Sequence, residues 1–138
     1  IGYLTCADYV MDRLLLLRAA TITAVPTFLQ EAAITALNTD IAPLKAVYEK
    51  RRAYVCQRLK TMGLSFPEPE GAFYVFPDIS RFGLSGEDFC KRMIREAKAA
   101  AVPGSCFGCE GHIRLSYACS DADLKKGLDR LEAFIRTL

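Results

Sequence analysis

Residues 110–121, EGHIRLSYACSD, set an arginine inside a segment that otherwise reads as a strand. Ile113, Leu115 and Tyr117 alternate with Arg114, Ser116 and Ala118, the period of two that puts alternate side chains on opposite faces. A guanidinium keeps its charge at any physiological pH, and its fork matches a carboxylate bidentately. A strand holds such a group more rigidly than a loop, and the small neighbours Ser116 and Ala118 leave room for a ligand beside it. The residues alone leave a second reading open, in which Arg114 snorkels from an edge strand or pairs with a nearby aspartate.

Other residues invite chemistry less strongly. SCFGCEGH supplies Cys106, Cys109 and His112, most of a tetrahedral zinc site. There is no second CxxC and no second histidine, and recruiting Cys119 or Cys90 has no support in the spacing. Redox CxxC chemistry wants the pair at a helix N-terminus, whereas this pair falls in a turn between strands. No chemistry is therefore attached to it. His112 would have to carry any general-base role, but no Ser–His–Asp or Cys–His grouping follows from spacing. Glu68, Glu70 and Asp78 stand beside prolines and a glycine, where solvated turn carboxylates are ordinary. Lys45, Lys50, Arg51, Arg52, Arg58 and Lys60 make one helix basic. No aromatic residues interleave on its polar face, and the acidic last helix and the Glu68/Glu70 turn can balance it, so nucleic acid is not an expected partner.

The elements that must position these residues follow from length and pattern. The chain has 138 residues, 51% hydrophobic and 25% charged, with net charge +2. That balance fits one ordinary domain with a real core. Its leucine run, Leu14 to Leu17, is closed by arginines and cannot span a bilayer. Asp8, Asp12 and Arg13 break up any apolar leader, and six irregularly spaced cysteines read as reduced thiols in a cytoplasmic protein. IGYLT, 1–5, reads as a strand already under way. Residues 7–20 read as a helix apolar on more than one face, which asks for burial. Thr27 and Gln30 have capping-box spacing for a second helix. A third runs from Pro43 to Met62, with Leu44, Val47, Tyr48, Val55 and Leu59 near one stripe and Gly63 as its stop. Strands are expected at 64–66, 72–76, in AAVPGSCFG and in GHIRLSYAC. Ser85 and Ser120 cap two further helices. Phe89, Met93, Ile94 and Ala97 face inward on the first; Leu124, Leu128, Leu131, Ile135 and Leu138 do so on the second, with Arg130 on its solvent face. The order is three helices, then β–β–α–β–β–α.

PEGAFYVFPDIS at 69–80, VPGSCFG at 102–108 and GHIRLSYACSDADLKKGLDRLEAFI at 111–135 closely resemble the carboxy-terminal part of fold-type I pyridoxal-phosphate aminotransferases, in the class I aspartate/aromatic-like group. IGYLT resembles the strand after that family's cofactor-anchoring segment, and TAVPTFLQEAAITAL at 23–37 resembles the next stretch. The resemblance implies an α+β fold in which helices pack on a small sheet. Residues 44–138 would be the small carboxy-terminal domain, and 1–43 a helical tail of the cofactor-binding large domain. It implies a homodimeric parent that moves an amino group between an amino acid and a 2-oxo acid. Arg114 matches the arginine that binds the substrate α-carboxylate, and Phe73 lies on the strand that walls the pocket. Pro26 resembles a turn near the subunit interface, and the helix over 44–62 a hinge element. In the family, the lysine that bonds the cofactor and the arginine that pairs with its phosphate lie upstream of the segment matching Ile1. No catalytic or cofactor-binding residue is therefore expected in this chain, nor is pyridoxal phosphate expected to bind it alone. Two alternatives stay open: a non-catalytic α+β interaction module, and a carbon–sulfur lyase of the same fold, which would share Arg114.

Without a fourth ligand for Cys106, Cys109 and His112, no stoichiometric zinc is expected. Elemental analysis showing one zinc per chain, lost on replacing Cys106 or Cys109, would overturn this.

Overall fold

A computed structural model describes residues Ile1–Leu138. The chain divides into two compact units, Ile1–Ile41 and Ala42–Leu138.

The first unit holds α1 (Asp8–Thr21) and α2 (Thr27–Leu37), and neither helix has a buried residue. The apolar surface that asks for burial stands open, from Leu15, Leu16 and Leu17 on α1 to Phe28, Ile34 and Leu37 on α2. IGYLT is not a strand: residues 1–7 have no regular structure, and a strand without a ladder partner is not stable alone. Thr27 does not cap α2 either. Pro26 is the entry residue, Thr27 is already helical, and the Gln30 amide instead donates to the Val25 carbonyl at 2.9 Å.

The second unit begins with α3 (Ala42–Thr61). Gly63 stops it at φ +72°. Its N–H reaches the Lys60 carbonyl while that of Leu64 reaches the Leu59 carbonyl, the paired bonds of a Schellman ending. Next come β1 (Tyr74–Val75), a 3-10 turn at Ser80–Phe82, and α4 (Gly86–Arg92), which runs on into a π-helical turn at Met93–Ala97. After β2 (Val102–Pro103) and a second 3-10 turn, Gly104–Phe107, the chain forms β3 (Ile113–Ser116) and α5 (Asp121–Ile135). The sheet is antiparallel in the order β1-β3-β2. The expected strand at 64–66 is missing. Pro67 and Pro69 lack ladder donors, and the bond from the Asp78 N–H to the Ser65 carbonyl does not extend into a ladder. The order after the third helix is therefore β–α–β–β–α.

Val75, Phe89, Met93, Ile113, Leu124, Leu128 and Leu131 are buried in one core with Val55 and Leu59 of α3. Ser85 and Ser120 cap as expected, each accepting the N–H three residues on, from Asp88 and Asp123. The stripes are less clean than their spacing suggests. Leu44, Val47, Ile94 and Leu138 are exposed, and Phe134, off the expected set, is buried. Ile94 follows Phe89 by five residues, which turns it well away from the Phe89–Met93 face. Arg130 is not free on a solvent face, because its guanidinium donates to the Lys98 carbonyl at 2.7 Å.

The basic face of α3 is neutralised in part by acids of other segments. Arg51 meets Asp121 at 2.7 Å; Arg58 meets Asp129 at 2.8 Å and Glu132 at 2.9 Å; Lys60 meets Glu68 at 3.0 Å. Burial opposes the charge of Arg58, yet hydrogen bonds with Asp129, Tyr54 and Glu132 outweigh it and raise its pKa.

Amides of 8–37 should exchange faster than those of 113–135 in the monomeric chain, since α1 and α2 bury nothing. Slower exchange in 8–37 would contradict the division. In the second unit, hydrogen bonds from Lys125 and Arg58 hold the Asp129 carboxyl below its ordinary 3.8. A carboxyl lowered on folding contributes stability above its unfolded pKa, and that contribution disappears as pH falls through the lower folded value. Denaturation midpoints should therefore drop on acidification below about pH 4, and Asp129→Asn should flatten the drop. An unchanged slope in that variant would show that the pair contributes nothing.

Candidate functional site

Arg114 sits on β3, the central strand. Its ladder partner on one side is Val102, and Tyr74 of β1 opposes Ser116 on the other. Directly opposed residues share a face, so Tyr74, Val102, Arg114 and Ser116 lie together on one side of the sheet. Val75, Pro103, Ile113 and Leu115 lie on the core side. The edge-strand reading of Arg114 fails on this topology. So does pairing with an aspartate: its guanidinium makes no hydrogen bond or ion pair within the chain.

Aromatic rings take the place of a counter-ion. The guanidinium carbon lies 4.2 Å from the centre of the Tyr74 ring and 4.3 Å from that of Phe107. Tyr74 comes from β1 and Phe107 from the turn after β2, on opposite flanks of β3, and the two rings do not pack on each other. The cation is thus bracketed by two π faces, an attractive arrangement that leaves its hydrogen-bonding protons uncommitted. Phe73, the second site residue expected from the sequence, packs on Tyr74 at 4.6 Å and on Tyr48 at 6.1 Å but makes no ring contact with Arg114. Phe73 and Arg114 therefore belong to one aromatic cluster, joined through Tyr74. Just before it, Ala72 holds a left-handed φ of +56°. That conformation costs an L residue about 1–2 kcal/mol. Two bonds to Tyr117 secure this turn: the Tyr117 hydroxyl donates to the Ala72 carbonyl and its N–H to the Phe73 carbonyl.

Local sequence dictates where Phe107 stands. In PGSCFG the N–H of Gly108 reaches the Ser105 carbonyl and that of Cys109 the Gly104 carbonyl, another Schellman ending. Gly108 takes the left-handed position there, at φ +70°. A Cβ on Gly104 would stand 2.1 Å from the Cys109 carbonyl oxygen, so no larger residue fits there. Phe76 packs edge-on against Phe107 at 6.0 Å, and His112 stacks on Phe76 at 5.3 Å. Sequence reasoning missed Tyr74 and Phe107 as neighbours of Arg114. The alternating pattern could have flagged Tyr74; nothing local points to Phe107.

The remaining candidates do not converge. His112 Nδ1 lies 3.3 Å from Cys109 Sγ and 3.0 Å from the Glu110 carbonyl oxygen, with Cys106 exposed on the turn. No three His, Cys, Asp or Glu side chains come together as a metal site. Burial pushes the Cys90 thiol up to about 11, away from the thiolate a ligand needs. Glu68 is paired to Lys60, and Asp78 accepts the Ser80 N–H at 2.7 Å, so these acids do not face each other across a site.

A model of the aminotransferase class I and II family matches residues 1–131. The chain is 38% identical to aromatic-amino-acid aminotransferase 2 of Thermococcus litoralis, over 99% of its own length and 37% of the relative's. It is 39% identical to an aspartate aminotransferase of Thermotoga maritima, over 99% of its own length and 36% of the relative's. The crystal structure of an aromatic aminotransferase from Pyrococcus horikoshii superposes with a TM-score of 0.82 at 38% identity, covering 94% of this chain and 36% of that one. The chain thus spans little more than a third of the proteins it matches. With its helices and small antiparallel sheet superposing on such an enzyme, the chain belongs to the class I and II aminotransferase family.

Proposed function

We propose that this chain is the carboxy-terminal portion of a pyridoxal-phosphate-dependent aminotransferase, and that Arg114 binds the α-carboxylate shared by its amino-acid and 2-oxo-acid substrates. The observation that carries the reading is a guanidinium on a central strand with no counter-ion in its own chain. A guanidinium held between two rings keeps its hydrogen-bond donors available to an anion from outside the chain. Residues 44–138 are assigned to the small domain, with Phe73 walling the pocket, and 1–43 to the tail of the large domain. The break between compact units at Ile41 and Ala42 supports this, as does the open apolar surface of α1 and α2. The reading carries with it a homodimeric, cytoplasmic enzyme.

The residues of this chain do not fit the cofactor by themselves. Pyridoxal phosphate is held through an amine, and every lysine here is exposed; Lys45, Lys60, Lys91 and Lys125 are committed to carboxylates. This chain is therefore given the substrate carboxylate and not the cofactor. Fixing that carboxylate at two points orients the Cα–H bond of the amino acid, which is a positioning effect.

Arg114→Lys keeps the charge and loses the fork. In the full-length enzyme it should lower kcat/KM roughly 30- to 1000-fold, on the order of 2–4 kcal/mol, by raising KM and lowering kcat. Cofactor content should stay normal. Lys126→Gln, at an exposed position on α5, should change kcat/KM by less than about twofold. A folded Arg114→Lys enzyme within about twofold of the native kcat/KM would end the carboxylate reading.

A further inference from the structure

The turn that carries Phe107 also sets a thiol against an imidazole. Cys109 Sγ lies 3.3 Å from His112 Nδ1, and the same nitrogen lies 3.0 Å from the Glu110 carbonyl oxygen. A carbonyl oxygen only accepts, so the proton between them is on Nδ1. The Cys109 sulfur meets that same N–H. A thiol sulfur is a weak acceptor and a thiolate a strong one, and the thiolate is the form that attacks electrophiles. Asp78 pairs with His112 in an isolated antiparallel bridge, so their side chains share a face. The Asp78 carboxyl is lowered from its ordinary value mainly by hydrogen bonds with Ser80, and the charge of His112 adds to this. An imidazolium at His112 thus has a carbonyl and a carboxylate near it. His112 is the only histidine of the chain, and Cys109 is the thiol it meets.

We propose that Cys109 is a modification site for low-molecular-weight disulfides, activated by His112, and that an adduct there loosens the Arg114 site. In the exchange the Cys109 thiolate attacks one sulfur of R–S–S–R. A bond forms between Cys109 Sγ and that sulfur, and the R–S–S–R bond breaks. The departing sulfur takes the bonding pair and ends as R–SH with the proton the imidazole held. Cys109 is oxidised and the departing sulfur reduced, so the disulfide is the only oxidant needed. The link to Arg114 is a run of packed rings. His112 stacks on Phe76 at 5.3 Å, Phe76 packs edge-on against Phe107 at 6.0 Å, and Phe107 lies 4.3 Å from the guanidinium carbon. Cys109 also closes the turn, its N–H on the Gly104 carbonyl at 3.0 Å. An adduct on this half-buried sulfur displaces His112 and strains that closure. The link rests on the α-carboxylate reading of Arg114; the reactivity of the thiol does not.

The test treats the full-length protein with bis(2-hydroxyethyl) disulfide, an uncharged probe, and follows adducts residue by residue by mass spectrometry. Cys109 is timed in Cys106→Ser and Cys106 in Cys109→Ser, which prevents exchange between the two. Cys106 is the more exposed, so exposure alone favours it. Cys109 should nevertheless react at least about tenfold faster. Adding His112→Gln should slow Cys109 about tenfold, and the same change should leave Cys106 within about twofold. The adduct on Cys106→Ser enzyme should raise KM for the amino acid about fivefold or more, reversibly with dithiothreitol, and treated Cys109→Ser should show no rise. If Cys106 reacts as fast as Cys109, or His112→Gln leaves Cys109 unchanged, the modification site is overturned. If Cys109 reacts selectively while KM stays within about twofold, the link to Arg114 is overturned and the site stands. If Arg114→Lys leaves kcat/KM unchanged, or no amino acid is turned over, the carboxylate reading falls with the link, and the adduct rates still decide the thiol.

Discussion

A permanently charged guanidinium without a counter-ion, fixed at the middle of a three-stranded sheet, is the constraint on which the rest of the second unit depends. Taking such a group even partly out of water costs free energy unless something replaces the lost solvation. Two ring faces do so here, each contributing about 0.5–2 kcal/mol by the usual range of cation–π contacts. They satisfy the charge without consuming its donors. An aspartate in place of either ring would have consumed those donors.

Holding that geometry accounts for much of the local architecture. The Arg114 strand is paired on both sides, so its backbone cannot slide. Its core side is anchored by buried Ile113 and by Val75 across the ladder, over α4 and α5. Charge pairs from Arg51 and Arg58 tie α3 to α5. Arg58 is the better placed of the two: the guanidinium side chains are about equally shielded, but Arg58 is shared among Tyr54, Asp129 and Glu132, whereas Arg51 has only the exposed Asp121, and an exposed single pair contributes little. The ring positions are fixed by backbone devices. A left-handed Ala72 tethered by Tyr117 precedes Phe73 and Tyr74, and a glycine-limited turn presents Phe107.

What was legible in the sequence was what local pattern controls. The caps at Ser85 and Ser120, the stop at Gly63, the buried stripe of α5 and the alternation around Arg114 all come from spacing and turn chemistry. Arg114 itself stands out because a charge breaks an apolar alternation. What failed depended on partners distant in sequence. Residues 1–5 and 64–66 have strand-like composition but no ladder to join, and α1 is apolar with nothing covering it. The bracketing of Arg114 is hidden for the same reason. Tyr74 lies 40 positions upstream on a neighbouring strand, and Phe107 belongs to a turn whose pattern advertises its cysteines instead. Period-two patterning names the face on which a side chain lies and says nothing of what meets it there.

The most direct measurement of the central claim is a crystal structure of the full-length protein with a 2-oxo acid or amino acid bound. The account predicts two nearly parallel hydrogen bonds of about 2.7–2.9 Å from the Arg114 guanidinium to one ligand carboxylate, with the Tyr74 and Phe107 rings still on its flanks. An Arg114 paired with a carboxylate of the protein itself, or a ligand carboxylate bound elsewhere, would contradict it.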